Sequence, residues 1–569
     1  MPNLNLNFVV GLTVTSISEH LGNNPFRNIS PLEAASGVRA SIQKFLETEK
    51  TFLEISQTET VYDQTNITFK YRCPIQYRFD KSDRLKISVF YVKHNTDPLI
   101  HRIGDVFTDL SSIIAKGGEV SLPLSPSAAI DLQIMFPDFY SHYVKLRFSG
   151  NCLQVRENVP LAAYMALVLK TEGRAILLYK SEVVKDKNPR WKEFAVPLYI
   201  IQFYHQGVLQ IHCYNQIANN VDSLIGRISH WCINLSGNFY NIVFYTLLIS
   251  RLLQYFYGTT GKRHRTIKFL YGKISMIFQC SATLFLSIAI FFQLMNFEGK
   301  RIHEKMSISL ESLELIHGES FFSAIKDGIH LHLTTAVDLT ASNGNPNQPD
   351  SLHYIHPHTQ SPYMNAMAKL TPLFLSYMAH TRVGALGFGA RTGPQFELSQ
   401  CFALSGSHSD PQVNGLSGLL DAYRHARLTV QPFAPTDFSE VIYHVSKRHL
   451  GLYFVLLILT DGGLTNPRRT VDAIVDCSVH PISIIAVGIG TGRDFANVKA
   501  LESPVLKHSD GRQLIRQVCS AFVINTNSYI VMFENFQFIP FEDLDTDDAV
   551  ALIPLQIAQW HNSQSHGAH

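Results

Sequence analysis

Paired cysteines are missing from this chain. Its eight cysteines, Cys73, Cys152, Cys213, Cys232, Cys280, Cys401, Cys477 and Cys519, stand singly, with no C-x-x-C and no tight even spacing. That excludes a disulfide-framed domain and a cysteine zinc site, and favours a reducing compartment. One-sided charge is missing too: 48 Lys and Arg against 46 Asp and Glu leave a net charge of +2. The broad basic field of a nucleic-acid binder is therefore absent, and nucleic acid is not expected as a partner. The start, MPNLNLNFVVGLTVTS, lacks the basic opening, long apolar run and small-residue cleavage site of a secretory signal, so a cytoplasmic location is expected. In that setting the glycosylation patterns Asn28-Ile29-Ser30 and Asn66-Ile67-Thr68 carry no meaning.

What is present is core material. Hydrophobic residues make up 46% of 569 and charged residues only 17%, which excludes a largely disordered chain and implies three or four folded units. Residues 1–150 carry short alternating runs, NFVVGLTVTS, TFLEISQTETV, ITFKYRCPIQYRF and LKISVFYV, the pattern of an all-β sandwich. From 151 onward the style repeats in YMALVLKT, AILLYKSEVV, FAVPLYIIQF and LQIHCYN. The two stretches match internally: Gln57-Thr58-Glu59-Thr60-Val61 before Phe69-Lys70-Tyr71 parallels Lys180-Ser181-Glu182-Val183-Val184 before Trp191-Lys192-Glu193-Phe194, as in two copies of one module.

From Phe322 strands alternate with helix-period segments: LHLTTAVDL, then YMNAMAKLTPLFLSYMAH, RVGALGFGA, GLSGLLDAYRHARLTV, YFVLLILTDGG, RRTVDAIVDCSVH and ISIIAVGIG. This order implies a doubly wound α/β domain with a mostly parallel sheet, over about 322–560. Ligands gather at the carboxyl edge of such sheets. Two acidic motifs fall there, Asp338-Leu339-Thr340-Ala341-Ser342 and Thr460-Asp461-Gly462-Gly463, with Pro435-Thr436-Asp437 in a loop between them. A D-x-T-x-S run sets one carboxylate and two hydroxyls along a turning loop, and Thr436 and Asp461 extend the oxygen set to five, suited to Mg²⁺ or Mn²⁺. An aspartate at a strand end followed by Ser or Thr also serves as a helix cap. It is the second acidic motif that favours metal.

Asp338, Thr340, Ser342, Thr436 and Asp461 resemble the metal-ion-dependent adhesion site of von Willebrand factor A domains. The resemblance implies that a partner's acidic side chain completes the cation's coordination. Similarly, KSEVVKDKNPRWKEF resembles the K-T-E-V-V-K-x-x-x-N-P-x-W segment of C2 domains, lipid-binding β-sandwiches. With DLTASNGNPNQPDSLHY, GALGFGAR, FALSG, GLLDAYRHARLTVQPFAPTDF, PISIIAVGIG and FQFIPFED following in order, the chain resembles the copine family. That family places two C2 domains before one A domain and is associated with calcium-dependent phospholipid binding and with recruiting partners to membranes. The resemblance implies a peripheral protein of the plasma membrane that acts as an adaptor and not as an enzyme. It also implies a second C2-like unit over 151–310.

Copine calcium loops carry S-D-P and Y-D-x-D motifs. Here the first module reads Ile29-Ser30-Pro31 and Tyr91-Val92-Lys93-His94, and the second Asn158-Val159-Pro160 and Tyr214-Asn215-Gln216-Ile217. Without those carboxylates Ca²⁺ binding is expected to be weak or lost, since Ca²⁺ needs six to eight oxygens with several full charges. The alternative function is a metal-dependent phosphotransfer enzyme at the same cation, for which neither a phosphate loop nor a base stands near the ligands.

Residues 238–293 interrupt the second module with a segment free of Asp, Glu and Pro. The uncharged run 274–297 is long enough to cross a bilayer, and Lys262-Arg263-His264-Arg265 separates it from an earlier apolar run at 239–257. Three readings stand: a membrane hairpin that would insert the chain, translated intron sequence with a pyrimidine-tract bias, and a loop or partner-binding helix. Two lesser features read as structural. Val487-Gly488-Ile489-Gly490-Thr491-Gly492 is a tight turn lacking G-x-G-x-x-G spacing. His353, His356 and His358 occupy an exposed polar loop with no fourth ligand for zinc.

Overall fold

A computed structural model describes most of residues 8–229 and 306–512, together with 290–293, 536–540 and 553–566. The described chain divides into two compact units. One comprises 1–141, 319–516 and 533–569, and the other 142–318 and 517–532. The division after Ser141 comes nine residues before the boundary expected at 150. The strand His142–Asn151 pairs along its whole length with Ser307–His317 and at its start with Phe194–Pro197, so its backbone bonds belong to the later unit.

The first module is a two-sheet sandwich. Phe8–Glu19 lies between Ala128–Met135 and the strands Ile67–Thr68 and Cys73–Tyr77. Ser36–Leu46 lies between Thr51–Gln57 and Arg84–Lys93. The period-two pattern is visible in Cys73–Tyr77, where alternate residues are buried. The later unit repeats this logic with the four-stranded sheet Arg174–Lys180, Ala163–Thr171, Val208–Gln216 and Asp222–Ser229.

The internal repeat holds at the level of single hydrogen bonds. Thr58 Oγ1 accepts from Ala40 N at 2.9 Å, and Ser181 Oγ from Met165 N at 2.9 Å. Each hydroxyl then donates to the next carbonyl, of Glu59 and Glu182. The carboxylates of those glutamates accept main-chain N–H groups from Tyr71 and Lys192. Val61 and Val184 close the two corners by antiparallel bridges to Val38 and Ala163. A hydroxyl followed by a carboxylate thus satisfies backbone donors where a strand leaves its sheet, and this explains the shared T/S-E-x-V spacing.

Of the segment 238–293, Ile290–Gln293 alone is described. It is a strand paired antiparallel to Ser307–Leu310. The run 274–297 is therefore not a continuous membrane helix at its C-terminal end, because four of its residues bond laterally to a sheet. Residues 238–289 lie outside the described residues. Among the described residues no helix is long and apolar enough to cross a membrane.

In the C-terminal part, β1 (His330–Asp338) lies between β2 (Arg382–Phe388) and β3 (Leu452–Thr460), followed by β4 (Ile482–Gly488) and β5 (Phe536–Pro540), all parallel. β3 reads LYFVLLILT with both faces buried, the continuous apolar run of a central parallel strand. Around the sheet are α1 (Phe321–Lys326), α2 (Pro362–Leu375), α3 (Gly415–Thr429), α4 (Ser439–Ser446), α5 (Pro467–Cys477) and α6 (Ile553–His566). Ser361 caps α2 by accepting from Met364 N, with Pro362 at the first helical position.

Within the same unit, aromatic rings of the first module meet the amino end of this sheet. Phe79 stacks on Tyr377 at 4.3 Å and Phe136 on Phe322 at 4.2 Å. Tyr377 Oη also donates to the Phe79 carbonyl at 3.1 Å. Leu331, near the start of β1, bridges to Met378, so this contact lies about 20–25 Å along the strand from Asp338. Leu456, fully buried in β3, tests the core: Leu456→Ala should cost about 2–5 kcal/mol, read as a lowered midpoint of denaturant unfolding.

Candidate metal centre

β1 delivers Asp338 to the carboxyl edge in full burial, with Thr340 1% exposed. Thr340 sits on a short turn of 3₁₀ helix over Ala341–Asn343 that follows the strand. The Asp338 carboxylate accepts from Thr340 N at 3.0 Å, from Thr340 Oγ1 at 2.6 Å and, on its other oxygen, from Thr460 Oγ1 at 2.6 Å. All three donors are neutral. Ser342 Oγ lies 2.9 Å from Thr340 Oγ1.

The neighbouring strand β3 ends one residue before Asp461, itself 3% exposed. An atom placed at the Cβ position of Gly463 would lie 3.4 Å from Asp461 Oδ1 and 3.6 Å from Ser342 Oγ, so the two loops converge. Asp338, Thr340, Ser342 and Asp461 are thereby gathered at one place. Thr436 enters by its main chain. Thr465 N donates to its carbonyl at 3.0 Å, and its own N–H donates to Thr465 Oγ1 at 3.2 Å, which fastens its loop beside Asp461–Thr465.

Close packing builds the cradle. Gly389 has φ +75°, and a Cβ there would lie 2.0 Å from Thr340 Cγ2. Only glycine satisfies both the left-handed backbone and the approach of the metal loop. Phe433 holds the loop from the other side, its carbonyl accepting from Ala341 N at 2.9 Å.

The hydrogen-bond donors that meet the Asp338 carboxylate bring it no positive charge. Burial, and after it the Asp461 charge, hold the Asp338 carboxyl well above its usual range, against the lowering effect of the Thr340 and Thr460 hydrogen bonds. Two acidic groups and nearby hydroxyls in a dry pocket form an all-oxygen donor set, and a small hard cation fits it. Of the five expected ligands the structure brings together the side chains of Asp338, Thr340, Ser342 and Asp461, and a cation there would supply the charge to offset the two carboxylates; Thr436 is placed beside them by its main chain.

Thr460, the first residue of the second motif, was not read as a partner of Asp338, to whose carboxylate its hydroxyl donates. The histidine run needs correction. His353 is fully buried, not exposed, because its ring stacks on Tyr363 at 4.4 Å and its Nδ1 pairs with Tyr423 Oη at 2.9 Å. His356 is exposed, and His358 lies outside the described residues. Among the described residues another group of side chains of ligating type, Glu319 and Asp327 flanking α1 and His561 on α6, comes together. His561 Nε2 lies 3.0 Å from Asp327, the geometry of an ion pair.

Comparison with known proteins bears on the C-terminal part first. Residues 351–567 match the Copine family model. This copine-like match includes Thr436 and Asp461 but begins after Asp338, Thr340 and Ser342. Among solved structures, a portion of Extended-Synaptotagmin 2 holding its SMP domain and both of its C2 domains aligns at 10% identity and TM-score 0.17, over 55% of this chain and 57% of that one. The pair of C2 domains of the same protein, without the SMP domain, aligns at 11% and 0.18, over 56% and 95%. Manganese-loaded Plasmodium vivax TRAP protein aligns at 16% and 0.24, over 40% and 74%.

The raised Asp338 carboxyl fixes the sign of a pH effect. Between about pH 4 and its folded-state value, the folded chain holds a proton that the unfolded chain has released. Metal-free stability therefore falls as pH rises through that window. Asp338→Asn removes the repulsion, and Thr460 Oγ1 can turn to accept from the amide. In EDTA at pH 8 this variant should melt at or above the wild-type temperature, show no such pH decline and gain nothing from Mn²⁺. Scanning calorimetry checks all three.

Proposed function

We propose that this chain is a copine-like, non-enzymatic adaptor. Its A-type domain holds Mg²⁺ or Mn²⁺ at Asp338, Thr340, Ser342, Thr436 and Asp461 and offers the open coordination position to a partner's carboxylate. The reading is carried by the two acidic groups buried together among hydroxyls at the carboxyl edge, a donor set that binds a cation without a base or phosphate loop for bond-breaking.

The rim supports a protein partner. Phe396, Leu398 and Phe433 are exposed. Arg391 pairs across the strands with Leu398, and its guanidinium lies over the Phe433 ring at 4.1 Å. This strip joins the metal loop at the bond from Ala341 to Phe433. A partner presenting a carboxylate beside an apolar side chain complements it.

The C2-like modules supply contact with phospholipid, placing the protein in the cytoplasm at the inner face of the plasma membrane, with little dependence on calcium. Asn215, where the calcium loop pattern would put an aspartate, uses its side-chain oxygen to accept from Ala162 N at 2.7 Å. A neutral amide committed to the backbone adds no charge to a Ca²⁺ site. In the first module the matching place holds Val92, a buried strand residue; the counterpart places at 29–31, 94, 158–160 and 217 lie outside the described residues.

The experiment pairs two assays on the full chain. It should sediment with anionic vesicles to the same extent in EGTA and in micromolar Ca²⁺, and a steep rise with Ca²⁺ would contradict the membrane part. Mn²⁺ should titrate at one site, lost in Asp338→Ala, with no nucleotide turnover. Turnover abolished by that substitution would establish the phosphotransfer alternative.

A further inference from the structure

Behind the loop of Thr340 and Ser342 runs a second polar network of buried side chains. Its centre is Asn343, fully buried. The Asn343 side chain accepts from Tyr363 Oη at 2.7 Å and donates to both the carbonyl and the hydroxyl of Thr340 at 3.3 Å. Its main-chain carbonyl accepts from Ser351 Oγ and Leu352 N, each at 3.0 Å. Ser351 Oγ accepts in turn from His353 N at 3.1 Å. The His353 ring reaches Tyr423 Oη on α3, and Tyr423 Oη lies 3.3 Å from Ser361 Oγ at the cap of α2. The residues after the metal motif thus form a strap stretched from Thr340 to two helices.

We propose that Asn343, Tyr363, His353 and Tyr423 are positioning residues that fix the Thr340 hydroxyl for the cation, so that metal affinity is set by how α2 and α3 hold this strap. The inference rests on the cation reading above and adds to it the residues that tune the site. A hydroxyl has a single proton. In Thr340 that proton is directed to Asp338 Oδ1 at 2.6 Å, and the Asn343 amide, as a donor, approaches the same oxygen from another side. The hydroxyl is thereby kept from turning its proton toward the cation, and its other lone pair, which accepts from Ser342 Oγ at 2.9 Å here, is the one that a cation would take over when Ser342 turns to ligate it.

Mg²⁺ demands near-ideal octahedral geometry, so a ligand held in advance binds better than one that must be ordered on arrival. Ser342, the other hydroxyl of the motif, is exposed and has no such support from Asn343, which makes Thr340 the oxygen that the strap governs. His353 suits the task by geometry: it is fully buried, stacked on Tyr363 at 4.4 Å and joined through Nδ1 to Tyr423 Oη at 2.9 Å. The asparagine carboxamide is what the place requires, since one end must accept and the other donate.

The test titrates Mn²⁺ calorimetrically into the full chain and records the melting temperature in EDTA for the same variants. Tyr363→Phe and Tyr423→Phe each remove one oxygen and keep the ring, Asn343→Ala removes the keystone, Asp338→Ala is the site control and Leu456→Ala is a core control. Outer partners of metal ligands are typically worth about 10- to 100-fold in affinity. Asn343→Ala and Tyr363→Phe should therefore weaken Mn²⁺ about tenfold or more, and Tyr423→Phe, one bond further out, by about threefold. The melting temperature of both Tyr→Phe variants in EDTA should stay near wild type, and Leu456→Ala should lower it without a matching loss of affinity.

If Tyr363→Phe and Asn343→Ala bind Mn²⁺ like wild type while Asp338→Ala does not bind, the strap proposal falls and the cation reading stands. If affinity merely follows melting temperature across all variants, Leu456→Ala included, the network is structural only and the proposal also falls. If wild type and Asp338→Ala are indistinguishable, both readings fall together.

Discussion

Two acidic groups buried side by side repel each other and lose the water that would otherwise screen them. Asp338 and Asp461 stand in that relation, at most 3% exposed, where two parallel strands end together. Neutral donors can orient a carboxylate but cannot cancel its charge, and the Asp338 carboxylate meets hydroxyls and a main-chain N–H from Thr340 and Thr460. The local architecture follows from this constraint. A glycine at 389 gives the loop room, the Phe433 carbonyl ties it down, and the Asn343 strap orients its hydroxyl. In the function proposed above, a small hard cation would offset that repulsion.

The rest of the unit places that edge. An all-apolar β3 fixes the centre of the sheet by burial on both faces, and the aromatic contact through Phe79, Tyr377, Phe136 and Phe322 falls at the opposite, amino end. The first module and the cation site therefore occupy different ends of the same sheet.

Much of this was legible in the sequence, for physical reasons that differ by element. The parallel sheet could be read because YFVLLILT is an almost continuous apolar run, LHLTTAVDL is strand-length and alternates with helix-period segments, and each leads into an acid. The repeat could be read because Thr58-Glu59 and Ser181-Glu182 serve backbone donors at matching corners, a need that sequence spacing records. His353 could not. Its burial depends on Tyr363 and Tyr423, ten and seventy residues away, and no local period marks a polar stretch that is folded inward. Thr460 was hidden for a related reason, since a strand residue reveals only its face and not the carboxylate across the sheet. The boundary at Ser141 was missed because strand pairing with Ser307–His317 spans more than 150 residues.

The most direct measurement is a crystal of the protein grown with Mn²⁺, with data collected at the manganese edge so that the ion reveals itself by anomalous scattering. The account predicts one strong peak at the carboxyl edge, about 2.1 Å from the Thr340 and Ser342 hydroxyl oxygens, with Asp338 and Asp461 bound directly or through water. A peak between Glu319, Asp327 and His561 instead, or none at Asp338 at saturating Mn²⁺, would contradict it.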